Sequence, residues 1–337
     1  MNKALLAVDD KALLLSATAM DMILLCQRRG FALDTLLKGT RLFEPDLRKA
    51  TIKISPAQYL QLVSNCQKAL PGAELAYLTA QSWLHHNHSP LLLMLRYSAN
   101  LQQALLCFYR FRSQLLPLFY LRLQRTQGQL RLVLRPSFVM GKQQLFIEQL
   151  VLHYLLGLVK QQLGDSSGLS LCVKAVDQDS AWLFQHQWQQ LPEPGLQSCI
   201  SIPIALLQQP FTDANPRLWQ QQLNWCQYLQ QSLPEKTAFT EQLEQWLFSV
   251  LRHSPSQEEA ARHWGLSLSS FKRLLAQHQC SYQLLLDQVK ACAAQQALLL
   301  QGMSNKELAS RLGYSDEHNF RRAFKRWTGL LPSQLRS

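Results

Sequence analysis

No two of the eight cysteines, at positions 26, 66, 107, 172, 199, 226, 280 and 292, lie within four residues of each other. That spacing excludes a Cys-x-x-Cys metal or redox motif, and the apolar or helical settings read as buried free thiols of a reducing cytoplasm. Ser166-Ser167-Gly168 lacks the glycine pattern of a nucleophile elbow or a phosphate loop. No acid pair, triad or cofactor fingerprint has meaningful spacing, so neither an enzyme nor a cofactor is expected. His85-His86-Asn87-His88 has no acidic or cysteine neighbour to complete a metal site and reads as a surface loop, so no metal is expected. His153, on an apolar helix, reads as a core histidine. The segment Ala12 to Cys26 is only fifteen residues long and is broken by Ser16, Thr18 and Asp21, so it reads as a buried helix rather than a membrane span. The opening apolar run is too short for a signal peptide and meets Asp9 and Asp10. A soluble cytoplasmic protein is expected.

Negative charge is scarce. Asp and Glu number 22 against 34 Lys and Arg, a net charge of +12, which favours a polyanionic partner. The excess is not confined to one end: from Ala238 onward 12 Lys and Arg meet 8 Asp and Glu. Upstream, Arg110, Arg112, Arg122, Arg125, Arg131 and Arg135 read as a solvated basic surface. A length of 337 residues with 47% hydrophobic side chains is enough for two domains with real cores and excludes global disorder.

Along the chain the periodicity changes twice. From Ala12 to Arg112 it is helical, with Ser55-Pro56 as a cap followed by proline at the first helical position and a stripe of Tyr59, Leu60, Val63, Cys66 and Leu70. Phe119–Arg125 and Gln129–Arg135 alternate around Thr126-Gln127-Gly128, as a β-hairpin does. Gln143 to Gly164 is helical again, and Leu169–Val176 and Cys199–Ile204 read as strands. Trp182, Trp188, Trp219 and Trp225 read as core rather than as a pocket lining. Between Pro210 and Lys236, Trp219, Gln222, Leu223 and Cys226 make one face of a connecting helix, with the boundary near Pro234. The expected fold is an α+β N-terminal domain, helices plus a small sheet, over residues 1–233, followed by an all-α domain over 234–337.

The last third repeats itself. Ser256-x-x-Glu259-x-Ala261-x-x-x-Gly265 recurs 48 residues later as Ser304-x-x-Glu307-x-Ala309-x-x-x-Gly313. Each copy predicts a capping box, a helix turning Ala260, Ala261 and Trp264 or Leu308, Ala309 and Leu312 inward, and a left-handed glycine after it. Ser267 and Ser315 are placed to cap the second helix of each pair. In the second copy Phe320, Ala323, Phe324 and Trp327 form one buried stripe, leaving Glu317, His318, Asn319, Arg321, Arg322 and Lys325 outside. In the first, Leu268, Phe271, Leu274 and Leu275 face inward and Ser269, Ser270, Lys272 and Arg273 outward. Two helix-turn-helix units with such outward faces hold the groups needed to read base edges and grip phosphates, so these ten residues are the expected DNA contacts.

Within residues 302–336, Ala309, Leu312-Gly313-Tyr314, Phe320, Arg322-Ala323-Phe324-Lys325, Thr328-Gly329, Pro332 and Arg336 resemble the C-terminal signature of the AraC/XylS family of bacterial transcription regulators. The resemblance runs from near Ala238 to the end. It implies a long linking helix over Tyr282 to Leu300, a first recognition helix containing Phe271 to Gln277 and a second containing Glu317 to Arg326. Lys290 departs from it, standing where the family more often has Arg. The segment from about Leu13 to Gln230 is similar to the arabinose-binding-like N-terminal domain of one branch, through Gly30-Phe31, Ser55-Pro56, the run Ser98 to Leu105, and Ile202 to Leu207 with Pro210. The implied protein is a promoter-binding regulator, more often an activator than a repressor, that works with RNA polymerase. Its N-terminal domain would sense a small-molecule effector, dimerise, or both, through residues that the resemblance does not assign. Two rival readings stand beside it: an N-terminal domain that only oligomerises, with DNA bound constitutively, and an enzyme fused to a DNA-targeting unit.

Overall fold

The computed structural model describes residues 4–335 apart from 50, 86–88, 117, 126–127, 139, 196, 234–235, 279, 301–302 and 329–330. His86, Asn87, His88, Thr126, Gln127, Pro234, Gly329 and Arg336, singled out above, lie outside the described residues. The chain divides into two compact units, Leu6–Lys236 and Thr237–Ser337, the latter joined by Met1–Leu5. That capture of the N-terminus is a strand pairing, Ala4–Leu6 with Lys236–Ala238, which the sequence did not announce.

The larger unit is α+β. The segment expected to be one helix from Ala12 to Cys26 is instead a short strand, Leu13–Leu14, a helical turn, Leu15–Thr18, and a helix, Met20–Arg28. The strand pairs antiparallel with Lys53–Ile54, which lies far along the chain, so tertiary pairing overrides the local apolar run. The next helix, Pro56–Ala69, begins as expected. Ser55 Oγ accepts from Gln58 N at 3.2 Å and Gln58 Oε1 accepts from Ser55 N at 2.9 Å, while Tyr59, Leu62, Val63 and Cys66 are buried.

The helix Gln143–Leu163 is buried on nearly every side, which is why its sequence shows no polar face. Gly157 lets Glu74–His85 approach closely, since a Cβ there would overlap the Leu84 side chain. The polar groups of this helix find partners: Gln149 Nε2 donates to Ser180 Oγ at 2.7 Å, and Glu148 accepts from Ser198 Oγ. His153 is a core residue, fully buried and stacked on Phe184 at 4.2 Å, with Nδ1 accepting from Trp188 Nε1 at 2.8 Å. Burial pushes its pKa down to about 3, so it is neutral at physiological pH.

Five strands form the sheet: β1 (Phe119–Arg125), β2 (Gln129–Pro136), β3 (Ser170–Val173), β4 (Glu193–Pro194) and β5 (Cys199–Pro203), in the spatial order β1-β2-β5-β3-β4. All neighbours are antiparallel except β3 and β4. One face carries Leu121, Leu132, Leu134, Leu171, Val173, Ile200 and Ile202, all buried. The other is more polar, and here the expected basic surface needs correcting: Arg135 is 4% exposed, Arg131 donates to a cysteine sulfur, and Arg112 Nε donates to Phe119 O at 3.1 Å. The helix Pro216–Ser232 is not a free connector either. It packs on Pro90–Arg96 within the larger unit, and Gln114 Nε2 donates to Cys226 O at 2.7 Å. Of the four tryptophans, Trp188 is core, whereas Trp182 and Trp225 are more than half exposed. No helix of the described residues is long and apolar enough to cross a membrane.

Candidate DNA interface

The two repeats become two helix pairs with the same local geometry. The helix Gln257–His263 starts at Ser256, whose Oγ accepts from Glu259 N at 3.1 Å while Glu259 Oε2 accepts from Ser256 N at 2.6 Å. The helix Asn305–Arg311 repeats the box at Ser304, at 3.3 and 2.7 Å. Both end in a Schellman closure. Leu266 N donates to Ala261 O and Gly265 N to Arg262 O, as Tyr314 N does to Ala309 O and Gly313 N to Ser310 O. Gly265 and Gly313 hold φ of 64° and 75°, which residues with a Cβ resist. At Gly313 a Cβ would also overlap Ser254 Oγ, which donates to Leu312 O at 2.9 Å. Ser256→Ala and Ser304→Ala are each expected to cost about 1 kcal/mol, read as a lower urea midpoint at unchanged slope.

The second helices differ in one respect that the repeat concealed. Ser267 caps Leu268–Gln277 as expected, accepting from Ser270 N at 3.2 Å. Ser315 does not cap Glu317–Thr328. That role falls to Asp316, whose Oδ1 accepts from Asn319 N at 2.7 Å, with Ser315 Oγ donating to Asp316 Oδ2 at 3.0 Å. The second turn is therefore one residue longer, which is why the buried Phe271 and Phe320 lie 49 residues apart rather than 48. The cap hydrogen bonds hold the exposed Asp316 and Glu307 carboxyls below their ordinary range.

Inward, Phe271 and Leu275 of the first pair and Phe320, Ala323 and Phe324 of the second are buried, with Leu268, Leu274 and Trp327 half-buried. Outward, Ser269, Lys272, Arg273, Glu317, His318, Asn319, Arg321, Arg322 and Lys325 are exposed, and Ser270 is half-buried. These residues are not equally available. Asn319 Nδ2 donates to Ser315 Oγ at 3.0 Å and Asp316 Oδ2 at 2.8 Å, and Glu317 Oε1 accepts from Asn305 Nδ2 at 3.0 Å. Ser269 and Ser270 share hydrogen bonds with Ser267. Among the described residues Lys272, Arg273, Arg321, Arg322 and Lys325 form no salt bridge, so five exposed cations on the two second helices remain open to a polyanion.

Two contacts that sequence reasoning missed brace the second pair against the linking helix Tyr282–Leu300. Lys290 is buried and lies over the Tyr314 ring at 4.8 Å, its pKa pulled down chiefly by burial. Its work is therefore internal, a cation–π contact rather than a phosphate contact. Asp287 pairs with Arg326 at 3.4 Å. Nothing in the spacing of these residues marks them as partners; only the crossing of two helices does.

Comparison with known proteins agrees with this geometry. The family model described as "Helix-turn-helix domain" matches residues 260–337, and that described as "Arabinose-binding domain of AraC transcription regulator, N-term" matches residues 30–187. The "Ornithine utilization regulator" of Pseudomonas aeruginosa is 34% identical over 137 residues, 41% of this chain and 40% of that protein. The "HTH-type transcriptional regulator VqsM" of the same organism is 27% identical over 139 residues, 41% of this chain and 43% of that one. The alignments thus span less than half the length of these curated relatives. The crystal structure of transcriptional regulator CdpR from Pseudomonas aeruginosa aligns over 92% of this chain and 98% of its own, at 20% identity and a TM-score of 0.39. Residues 30–187 thus match an arabinose-binding-type domain of an AraC-type transcription regulator, and residues 260–337 match a helix-turn-helix domain.

Proposed function

We propose that the protein is a sequence-specific regulator of transcription, acting in the cytoplasm on promoter DNA. The observation that carries this reading is the pair of in-phase helix-turn-helix units whose outward faces hold five cations without a salt bridge among the described residues. Each second helix would lie in a major groove, the two centres about ten base pairs apart on one side of the duplex. Arg322, Arg273, Lys272, Ser269, Glu317, His318 and Asn319 would face base edges. Arg321, Lys325 and Ser270 would hold the backbone. Since Glu317 and Asn319 are already hydrogen-bonded within the protein, reading a base would require each to exchange a partner. We assign these roles to residues 234–337 and effector sensing or dimerisation to residues 1–233, with activation through RNA polymerase as the mode the family favours. The match to an arabinose-binding-type domain supports the sensor assignment and leaves the effector's identity open.

Selection from a random duplex library with the full chain, at stated salt, tests this. A bipartite motif with half-sites about ten base pairs apart is expected. Tight binding that is salt-sensitive but yields no motif would reduce the interface to a basic surface. Arg322→Ala is expected to cost about 1–3 kcal/mol in affinity and to relax the preference at one base. Lys325→Ala should weaken binding to all sequences alike and reduce the salt slope by about 1. An unchanged preference in the Arg322 variant would reassign that residue to the backbone.

A further inference from the structure

The sequence spaces its cysteines apart, yet the sheet brings two together. Strands β3 and β5 run antiparallel, and their register sets Cys172 directly opposite Cys199. Residues so opposed share a face, with Cα atoms about 4.5–5.5 Å apart, inside the 4.4–6.8 Å span of a disulfide. Each thiol shifts the titration of the other. On β2, Val133 stands opposite Cys199 and Arg131 lies diagonally from it on the same face, its Nη2 donating to Cys199 Sγ at 3.1 Å. On the far side of β3, Glu193 is the register partner of Cys172. Gly195 leaves room for the Cys172 sulfur, since a Cβ there would overlap it. Cys172 is partly exposed whereas Cys199 is buried.

We propose that Cys172 and Cys199 form a peroxide-oxidisable dithiol, in which Cys199 is the reacting sulfur and Cys172 the resolving one. Cys199 thiolate attacks one oxygen of hydrogen peroxide. The O–O bond breaks, the departing hydroxide takes up a proton as water, and Cys199 is left as a sulfenic acid. Cys172, giving up its proton, then attacks the Cys199 sulfur, forming the S–S bond and expelling the second water. The peroxide is reduced to two waters and the two thiols are oxidised to one disulfide. The electrostatics support this division of labour. The neighbouring Cys172 thiol, helped by the charge and hydrogen bond of Arg131, lowers the Cys199 thiol against burial and the Glu193 charge. The Cys172 thiol is pushed up by the neighbouring Cys199 thiol and by burial. Cys26 and Cys66 also influence each other's titration, but neither of them reaches the surface, whereas Cys172 opens the other pair to solvent. This chemistry belongs to the larger unit and does not rest on the DNA reading.

The test treats the full-length protein with a few-fold excess of hydrogen peroxide at pH 7, removes the peroxide, blocks remaining thiols with N-ethylmaleimide in denaturant and maps tryptic peptides by mass spectrometry. Cleavage after Lys160, Lys174 and Arg217 places the two cysteines in separate peptides, 161–174 and 175–217. A link between them that dithiothreitol removes is expected, with Cys26 and Cys66 alkylated. Cys172→Ser should accumulate a dimedone-reactive sulfenic acid on Cys199. Arg131→Gln, which removes the hydrogen bond and the charge beside Cys199, should slow the reaction about twofold or more. Recovery of both cysteines alkylated from oxidant-treated protein whose near-ultraviolet circular dichroism is unchanged would overturn the proposal. So would a Cys199→Ser variant that consumes peroxide as fast as the parent.

Discussion

Phe320→Ala is expected to destabilise the C-terminal unit by about 3–5 kcal/mol, the cost of removing a fully buried phenylalanine ring. Phe320 is 0% exposed and packs on Phe324 at 5.7 Å and Tyr314 at 6.2 Å between ring centroids. The helix that carries it has twelve residues and an almost wholly charged outer face. Alone in water such a helix is marginal, and its apolar stripe is what holds it against Asn305–Arg311 and the linking helix. A domain of this size has only about 5–15 kcal/mol in hand. The unfolding midpoint of this unit should therefore fall by at least about 12 °C. DNA affinity should fall with it, although Phe320 meets no solvent. Phe320→Leu, which keeps much of the volume, should lose far less. Thermal unfolding followed by circular dichroism, paired with DNA titration below the midpoint, separates the two effects. A midpoint unmoved in the alanine variant would show that the second recognition helix is held by something other than this stripe.

The second large effect is one of pH. Glu244 is 2% exposed in the helix Phe239–Ser249, and burial raises its carboxyl from 4.5 to about 8. The folded protein thus holds a proton that the unfolded chain releases. Stability from this group is fully present below about pH 4.5 and is lost as pH rises through about 8. The loss between those limits amounts to roughly 4–5 kcal/mol at about 1.4 kcal/mol per pKa unit, reduced by whatever water reaches the site. Glu244→Gln keeps the shape and removes the proton, so the variant should be flat where the parent slopes, and more stable than the parent at pH 9. His278, buried with its pKa lowered by burial, works in the opposite direction and makes the unit less stable below about pH 6.5. The difference between parent and variant isolates Glu244 from it. Urea midpoints at pH 5, 7 and 9 decide the matter, and equal pH slopes in the two proteins would refute the assignment.

The candidate interface was legible because its signals are local. A capping box spans four residues, a Schellman glycine follows one helix, and an i, i+3, i+4, i+7 stripe needs only one helix to be seen. Hence Ser256, Ser304, Gly265, Gly313, Phe320 and Phe324 could be placed before any coordinates, together with the outward Lys272, Arg273, Arg321, Arg322 and Lys325. One local signal misled. A serine and an aspartate compete as caps ahead of the helix Glu317–Thr328, and strict repetition pointed to Ser315. The extra residue in the turn handed the role to Asp316.

The N-terminal half was less legible for the converse reason. An apolar run such as Ala12 to Cys26 suits a buried helix or a strand equally well, and its partner, Lys53–Ile54, decides. Arg135 and Arg131 look like surface charges in one dimension because nothing nearby in sequence reveals the buried groups they face.

By itself the sequence determined the two-part organisation, the α+β and helical classes, and the two helix-turn-helix units with their polar faces. Each of these follows from periodicity, capping and turn chemistry acting over a few residues. Tertiary structure alone decided which distant side chains meet: Lys290 over Tyr314, Asp287 with Arg326, and Cys172 opposite Cys199 beside Arg131. Strand register and helix crossing set those pairs, and both depend on how whole elements pack rather than on the spacing of residues along the chain.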